Sequence, residues 1–250
     1  MTLATEVDGG IAHLRLDRPQ LHNVLDRRTL DELTEALHGL DARVIVLSGS
    51  GPGFCAGVDL GELRRAEDSG VRGILLAGRR AYQALLGTDA VTVAVVHGRA
   101  TGAGVALAAG CDLRIAHPDA TFSLPELSHG MGLSWGGAMP RLLDEVGPAA
   151  LRRIALLGER VTADEAARIG LVHEVSDDPG ELAEQWAARC LSHHAGAVGP
   201  AKRQLRSHTR TGSGPAEFDE DLLAAGFLET RRSGTGLFAR PPGARPATPS

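Results

Sequence analysis

One short stretch constrains the fold more than any other: a β-branched strand that runs into a glycine-rich turn and then into an alanine-rich helix. Residues 91–96, VTVAVV, form a mostly β-branched run typical of a buried strand, with Thr92 as its one polar residue, and glycines crowd residues 98–104. The helix is expected to begin near Gly102. A strand that leads through a tight turn into a helix is typical of parallel sheets with right-handed crossovers. This stretch therefore predicts an α/β protein.

The same alternation of strands and helices extends over the N-terminal half of the chain. Residues 11–16 alternate apolar and polar side chains, as a half-buried strand does, and apolar residues recur at helical spacing after residue 29. Predicted strands cover residues 11–16, 43–47, 91–96, 113–116 and 121–123, and predicted helices cover residues 29–40 and 72–86. From about Pro148 the chain becomes mainly helical, with a capping-box pattern at residues 162–165 and a helix stop at Gly170.

These patterns divide the chain into three parts. We expect residues 1–195 to form the α/β core and residues 196–240 to form a helical C-terminal portion, with its last helix near residues 218–231. Residues 241–250 are rich in proline and alanine, which predicts a disordered tail.

Composition excludes several classes of function. The 250 residues carry a net charge of −5 without any basic run, so we expect neither nucleic acid nor a membrane as partner. The apolar runs are too short to span a bilayer, and the N-terminus lacks the apolar core of a secretion signal. The three cysteines are scattered without metal-ligand spacing, which favours a reduced, cytoplasmic setting.

Three segments carry the candidate chemistry, and each is weak alone. They are residues 53–60 (GFCAGVDL), residues 97–104 (HGRATGAG) and residues 122–130 (FSLPELSHG), the last followed by Trp135. Glycine-rich turns that enter helices expose backbone N–H groups, and two such turns can direct two donors at one developing oxyanion. Either turn alone is more often an ordinary tight turn, and a carboxylate such as Glu126 is more often a solvated surface group.

Other chemistries lack their required residues. A short-chain dehydrogenase would supply a Tyr-x-x-x-Lys pair, but Leu86 stands four residues after Tyr82, the single tyrosine. Ser134 has no Gly-x-Ser-x-Gly context, so a hydrolase nucleophile is not indicated. Cys55 is expected to be a small buried filler. His129 could line a site, although on spacing alone a solvated loop histidine is the commoner interpretation.

The ordered set of motifs resembles the crotonase (enoyl-CoA hydratase/isomerase) superfamily over about residues 5 to 205. The similar segments are DRPQLHNVL (17–25), GPGFCAGVDL (51–60), AVVHGRATGAGVALAAGCDLRIA (94–116), LPEL (124–127) and LGERVTADEA (157–166) followed by GLV (170–172). The resemblance implies a crotonase-type ββα spiral core with a helical C-terminal oligomerisation portion.

The resemblance also implies roles for individual positions. In this superfamily the residue after the Ala-Gly pair and the middle residue of a glycine triplet supply the oxyanion N–H groups, and these positions are Val58 and Ala103. Of the two carboxylates that face the thioester in a hydratase, one position holds Ala106 and the other holds Glu126. Further substrate-binding positions are Val24, Ala56, Asp59, Leu60, Gly104, Met131 and Gly132.

The alanine at position 106 decides which reaction the resemblance implies. A single glutamate is similar to the arrangement in Δ3,Δ2-enoyl-CoA isomerases, in which one carboxylate takes a proton from C2 and returns it to C4. We therefore expect an acyl-CoA enzyme that isomerises an enoyl double bond with Glu126 as its base. Restoring the acid, Ala106→Glu, is expected to confer hydration.

Several alternatives remain open at this point. They are a hydratase that works with one carboxylate, C–C bond-forming or decarboxylating chemistry as in carboxymethylproline synthases, and a non-catalytic acyl-CoA-binding subunit. The resemblance implies no metal and no cofactor other than the CoA of the substrate. It also implies a homotrimer or homohexamer.

Overall fold

Two β-sheets organise the chain, and the larger one follows the predicted alternation of strands and helices. The computed structural model describes residues 2–133, 135–210, 228, 231 and 232. The larger sheet contains β1 (Leu3–Asp8), β2 (Ile11–Leu16), β3 (Val44–Gly49), β4 (Val91–Val96), β6 (Leu113–Ala116) and β9 (Glu174–Val175). Its strand order is β1-β2-β3-β4-β6-β9, with β1 and β2 antiparallel and the following neighbours parallel.

A second, smaller sheet lies at the end of this core. It contains β5 (Arg99–Thr101), β7 (Thr121–Ser123) and β8 (Val161–Thr162), with β7 in the centre. Strand β5 pairs parallel to β7, and β8 pairs antiparallel to it. Because β5 begins three residues after β4 ends, the chain passes almost directly from the large sheet into the small one.

Helices cover both faces of the large sheet. The described helices are α1 (Arg27–Gly39), α2 (Leu60–Arg65), α3 (Asp68–Gly87), α4 (Ala103–Gly110), α5 (Met139–Leu156), α6 (Ala163–Arg168), α7 (Pro179–Leu191) and α8 (Ala195–Arg210). None of them combines the length and the apolar character that a bilayer crossing requires.

The β-branched strands β3 and β4 are mostly apolar because both of their faces are buried. In β3, Ile45 and Leu47 point into the main core with α1, α3 and α4, whereas Val44 and Val46 point to the opposite face. That second face is covered by α7, whose Ala183 packs there. A strand buried on both sides loses the alternation of apolar and polar residues, which explains the continuous run.

Some elements depart from the sequence prediction. Strand β1 was not predicted, because most of its residues are exposed and it lacks an alternating apolar pattern. Helix α5 begins at Met139, well before Pro148, and kinks at Gly147, where φ is +74° and ψ is +159°. The last predicted helix, near residues 218–231, and the predicted tail at residues 241–250 lie essentially outside the described residues.

The predicted capping box at α6 is formed only in part. The Thr162 hydroxyl accepts a hydrogen bond from the Glu165 N–H at 3.3 Å, as an N-cap does. The Glu165 carboxylate instead pairs with Arg153 and Arg168. These guanidinium groups hold the pKa of Glu165 at about 2 through hydrogen bonds, first from Arg168 and then from Arg153.

Candidate active site

The first two glycine-rich segments lie side by side at the end of strand β4. The Cys55 N–H donates to the Arg99 carbonyl at 3.0 Å, and the Thr101 N–H donates to the Cys55 carbonyl at 2.9 Å. Gly57 has φ of +92°, and a Cβ at this position would lie 2.7 Å from the Thr101 carbonyl oxygen and 3.4 Å from the Ala103 nitrogen. Only glycine allows this approach, which brings the two segments together.

Two backbone N–H groups at this junction are available to a ligand. The Leu25 N–H donates to the Gly57 carbonyl at 2.8 Å and the Asp59 N–H donates to the Leu25 carbonyl at 3.0 Å, which holds Val58 between them. Ala103 is the first residue of α4, so its N–H has no partner within the helix and lies at the positive end of the helix dipole. Within the described part of the chain neither N–H donates to a protein acceptor.

Both N–H groups border a cavity of about 130 Å³ that is lined mostly by apolar residues. Seven of the residues predicted from the sequence line it: Ala56, Val58, Leu60, Ala103, Glu126, Met131 and Gly132. Residues that the sequence did not assign complete the lining: Gly57, Leu63, Val71, Leu75, Thr101, Gly102, Pro125, His129, Trp135 and Gly136. The helical contributors from α2 and α3 follow an ordinary apolar pattern, which carries no signal of a binding role.

Three predicted substrate contacts are placed outside this lining. The Val24 carbonyl accepts a hydrogen bond from Arg18 at 3.1 Å, and Asp59 caps the N-terminus of α2. A Cβ on Gly104 would lie 2.3 Å from the Cys55 carbonyl oxygen, so Gly104 permits close backbone packing. These residues shape the backbone around the cavity, and their motif positions did not reveal which side of the chain faces it.

Glu126 is placed in the cavity wall by a short 3-10 turn, Glu126–His129. The Met131 N–H donates to the Glu126 carbonyl at 3.0 Å, and Gly130 ends the turn with φ of +71°. One carboxylate oxygen, Oε1, lies 3.0 Å from where a Cβ on Gly102 would be, next to the start of α4. The other, Oε2, is buried and has no hydrogen-bond partner among the described residues. One carboxylate oxygen therefore lies next to the start of α4, and the other has no partner among the described residues.

Burial raises the pKa of Glu126 to about 7, against the smaller, opposite effect of a hydrogen bond from its own backbone N–H. A carboxylate in an apolar site holds its proton more tightly because its charged form loses hydration. A pKa near neutrality suits a general base, since the group is ionised often enough to act and basic enough to take a proton. Glu126 is therefore not the solvated surface group that a carboxylate in such a turn more often is.

On the side of Ala106, Glu126 borders a much smaller recess of about 10 Å³. The recess shares Gly102, Glu126 and Trp135 with the main cavity. Its other lining residues are apolar: Ala106, Leu124, Leu133, Ala138, Met139 and Leu142. The position that carries the second acid in a hydratase is therefore closed by hydrocarbon.

His129 and Trp135 are the most informative additions to the predicted site. The sequence favoured a solvated loop histidine at position 129, but the structure places His129 in the cavity wall. Trp135 packs edge-on against Tyr82, with ring centroids 6.1 Å apart at 73°. Their place in and after the third motif, at residues 122–130, was the signal for both, but spacing alone did not show that they line the cavity.

The alternative chemistries find no support in the described residues. Cys55 is fully buried, and burial raises the pKa of its thiol to about 12. The thiol therefore stays protonated and unreactive, which agrees with a small buried filler. No group of three or more His, Cys, Asp or Glu side chains in the described ranges could hold a metal ion. Ser134 lies outside the described residues.

In this α/β fold, one cavity is bordered by Val58, Ala103 and the partly buried carboxylate of Glu126, an arrangement that can hold an oxyanion next to a base. Residues 6–224 match the family model described as enoyl-CoA hydratase/isomerase. The chain belongs to this family, within the crotonase superfamily, and it is an enzyme of that family. The superfamily assignment made from the motifs is confirmed.

Similar proteins agree with this membership. A "Probable enoyl-CoA hydratase" of Rhodobacter capsulatus is 35% identical over 256 residues, which cover 92% of this chain and 96% of that protein. The 2,3-dehydroadipyl-CoA hydratase of Escherichia coli is 34% identical, covering 90% and 86%. The crystal structure of an enoyl-CoA hydratase from Mycobacterium avium subsp. paratuberculosis matches with a TM-score of 0.83 and 28% identity, covering 96% and 95%. The crotonase-type fold is confirmed.

Proposed function

We propose that this enzyme moves the double bond of a 3-enoyl-CoA into conjugation with the thioester, giving a 2-enoyl-CoA. The reaction needs a base that removes a proton from C2, a means of stabilising the dienolate, and delivery of a proton to C4. It transfers protons and no electrons to an acceptor, so the proposal includes no cofactor beyond the CoA of the substrate.

The dienolate oxygen is assigned to the N–H groups of Val58 and Ala103. Both groups border the cavity, neither has a protein acceptor among the described residues, and Ala103 adds the positive end of the α4 dipole. In other enzymes the loss of one oxyanion donor costs about 10²–10³ in turnover. Because these donors belong to the main chain, valine and alanine serve in this role.

Glu126 is assigned as the base that removes the C2 proton. Its buried Oε2 has no protein partner among the described residues, and burial raises its pKa to about 7. The apolar lining supports this role in two ways: it keeps the carboxylate basic, and it fits an acyl chain.

The closed recess beside Ala106 is the observation that carries isomerisation over hydration. A site that holds a water needs about 10–15 Å³ and two to four polar partners. The recess has about 10 Å³, and its wall on this side is hydrocarbon from Ala106, Leu124 and Met139. Hydration would need an ordered water opposite Glu126, and among the described residues that line the recess no second polar side chain is present to hold it.

Hydration of a 2-enoyl-CoA is the second candidate, and the names of the relatives favour it. The similar proteins from Rhodobacter capsulatus and Escherichia coli are both described as hydratases. For this chain, hydration would have to proceed with Glu126 as the single carboxylate and with a water held on the open side of the cavity.

A turnover screen separates these candidates. Purified protein is given 3-hexenoyl-CoA, crotonyl-CoA and malonyl-CoA, and the products are identified by mass spectrometry. We expect conversion of 3-hexenoyl-CoA at a rate at least tenfold above crotonyl-CoA hydration, and no decarboxylation. Brisk hydration of crotonyl-CoA with slow isomerisation would replace the first candidate by the second.

Three further features stay as proposals from the sequence. We propose a homotrimer or homohexamer, a cytoplasmic location, and a division into a core over residues 1–195 and a C-terminal helical portion over residues 196–240. The described helix α8, Ala195–Arg210, begins at this boundary. Its Lys202 is buried and forms an ion pair with Asp112 at 2.6 Å, which ties the start of the C-terminal portion to the core.

A further inference from the structure

Among the described residues, two ionisable side chains line the main cavity: Glu126 and His129. His129 lies three residues after Glu126 in the same 3-10 turn. A 3-10 helix has three residues per turn, so residues i and i+3 point to the same side, about 6 Å apart along the axis. Glu126 and His129 therefore face one cavity at neighbouring levels.

The turn holds both side chains in a defined arrangement. The Ser128 N–H donates to the Pro125 carbonyl at 3.0 Å, and the Ser128 hydroxyl donates to the same carbonyl at 2.7 Å. The Gly130 N–H donates to the Leu127 carbonyl at 3.1 Å. These bonds close the backbone of the turn on itself at Ser128 and Gly130, on either side of His129.

The His129 ring is available for proton transfer. It is partly exposed, and neither ring nitrogen forms a hydrogen bond or ion pair with a described residue. Histidine is the side chain that most readily gains and loses a proton near neutral pH. A ring that borders both the cavity and solvent can take a proton from water and pass it inward.

We propose that His129 is the acid of this active site and delivers the proton to C4, while Glu126 keeps the proton that it removed from C2. The inference rests on the proposed isomerase function. With His129, the reaction has a second proton-transfer group in the main cavity. The recess at Ala106, in contrast, is closed and apolar.

The two steps balance without another reactant. In the first, the Glu126 carboxylate takes the C2 proton, the C–H electron pair forms the C1–C2 double bond, and the thioester carbonyl pair moves to oxygen. In the second, the pair returns from oxygen, a C2–C3 double bond forms, and the electrons of the C3–C4 double bond take a proton from the His129 imidazolium. Glu126 then releases its proton to water, and the neutral His129 ring takes one from water.

The origin of the C4 hydrogen tests this proposal. Wild-type protein converts unlabelled 3-hexenoyl-CoA in D₂O, and deuterium at C4 of the product is measured by NMR and mass spectrometry. We expect nearly every product molecule to carry solvent deuterium at C4, because the imidazolium exchanges with solvent. A product that mostly retains the C2 hydrogen at C4 overturns the proposal, because Glu126 then returns its own proton.

The variant His129→Gln adds a second, independent readout. We expect turnover to fall by roughly 10² or more, the range that a positioned acid contributes. We also expect the fraction of product with the C2 hydrogen at C4 to rise at least twofold, because Glu126 becomes the remaining donor. The matched control is Leu127→Ala, an exposed neighbour on the same turn outside the cavity lining, which should turn over within twofold of wild type.

Each other outcome counts against the inference. Turnover of His129→Gln within threefold of wild type overturns it, and so does slower turnover with an unchanged label, which would make His129 a positioning residue. If His129→Gln does not fold, His129→Asn takes its place in both measurements. A wild-type protein that does not isomerise 3-hexenoyl-CoA overturns the proposed function itself, whereas an isomerising protein that retains the label overturns only the role of His129.

Discussion

At the scale of single residues, the central proposal is that Glu126 is the base that removes the C2 proton. Glu126→Gln keeps the size of the side chain and removes its basic oxygen. We expect turnover to fall by roughly 10²–10⁴, the contribution of positioned proton transfer, with acyl-CoA affinity within a few-fold of wild type. Steady-state kinetics and a binding titration measure the two quantities. The control is Glu174→Gln, an exposed glutamate in β9, and turnover of Glu126→Gln within threefold of wild type would mean that the base lies elsewhere.

The same residue gives stability a definite dependence on pH. Burial raises the pKa of Glu126 from the ordinary 4.5 to about 7, so between these values the folded state binds its proton more tightly than the unfolded state. The free energy of unfolding contributed by Glu126 therefore falls as the pH rises from about 4.5 to about 7, and it levels off above.

Comparison with Glu126→Gln isolates this effect. The difference in Tm, wild type minus variant, should decrease over pH 4.5 to 7 and stay constant at higher pH, so the variant gains relative stability once the wild-type carboxylate is charged. Thermal unfolding in a series of buffers measures it. Parallel Tm profiles for the two proteins would show that the carboxylate is solvated.

At the scale of elements, the first turn of α4 is held by close backbone packing. A Cβ on Gly104 would lie 2.3 Å from the Cys55 carbonyl oxygen, so Gly104→Ala must displace the turn that carries the Ala103 N–H. We expect a loss of about 1–3 kcal/mol of unfolding free energy from overpacking, and at least a tenfold loss of turnover. Urea unfolding and kinetics measure both. Gly39→Ala, where a Cβ has open space, is the matched control and should change neither quantity appreciably.

The recess beside α4 leads to a different prediction for Ala106→Glu from the one drawn from the sequence. Position 106 is 3% exposed and faces Leu124, Met139 and other apolar side chains in about 10 Å³. We therefore expect Ala106→Glu to lose about 1–3 kcal/mol of unfolding free energy and to gain no hydration, because the added carboxylate fills the recess and leaves no room for a water.

A variant of equal volume separates the effect of the added bulk on stability from the effect of the buried charge. Ala106→Gln adds the same bulk without the charge, so the difference in Tm between the two variants should grow as the pH rises and the glutamate ionises. Measurable hydration of crotonyl-CoA by Ala106→Glu would mean that the recess opens to admit water and that the missing acid alone separates this chain from a hydratase.

At the scale of the whole molecule, ligand binding and folding are linked. The cavity brings together α2, α3, α4 and the Glu126 turn, so a bound acyl-CoA should stabilise the native state. The stabilisation is RT ln(1 + [L]/Kd), about 2.7 kcal/mol at a hundredfold excess over Kd. Thermal unfolding with hexanoyl-CoA should give a raised Tm, and NADH at the same concentration should leave it unchanged. The reverse result would contradict acyl-CoA binding.

Local sequence patterns predicted the bounds of several strands in the two sheets. Strands β2, β4, β6 and β7 have the predicted bounds, because β-branched runs and turn residues act between near neighbours in the chain. Strand β1 escaped detection because an exposed edge strand such as Leu3–Asp8 has no alternating apolar pattern to read. Its identity as a strand comes from pairing with β2, which is a tertiary contact.

What the sequence by itself determined about the site is its backbone: glycine-rich turns after β3 and β4 that present the N–H groups of Val58 and Ala103, and a carboxylate at position 126. Which side chains face the cavity was decided only by the tertiary structure. Glu126 lies against Gly102, which belongs to another segment of the chain, and Leu142 of α5 lines the recess. Spacing along the chain carries no information about such contacts, because they arise only when separate elements pack together.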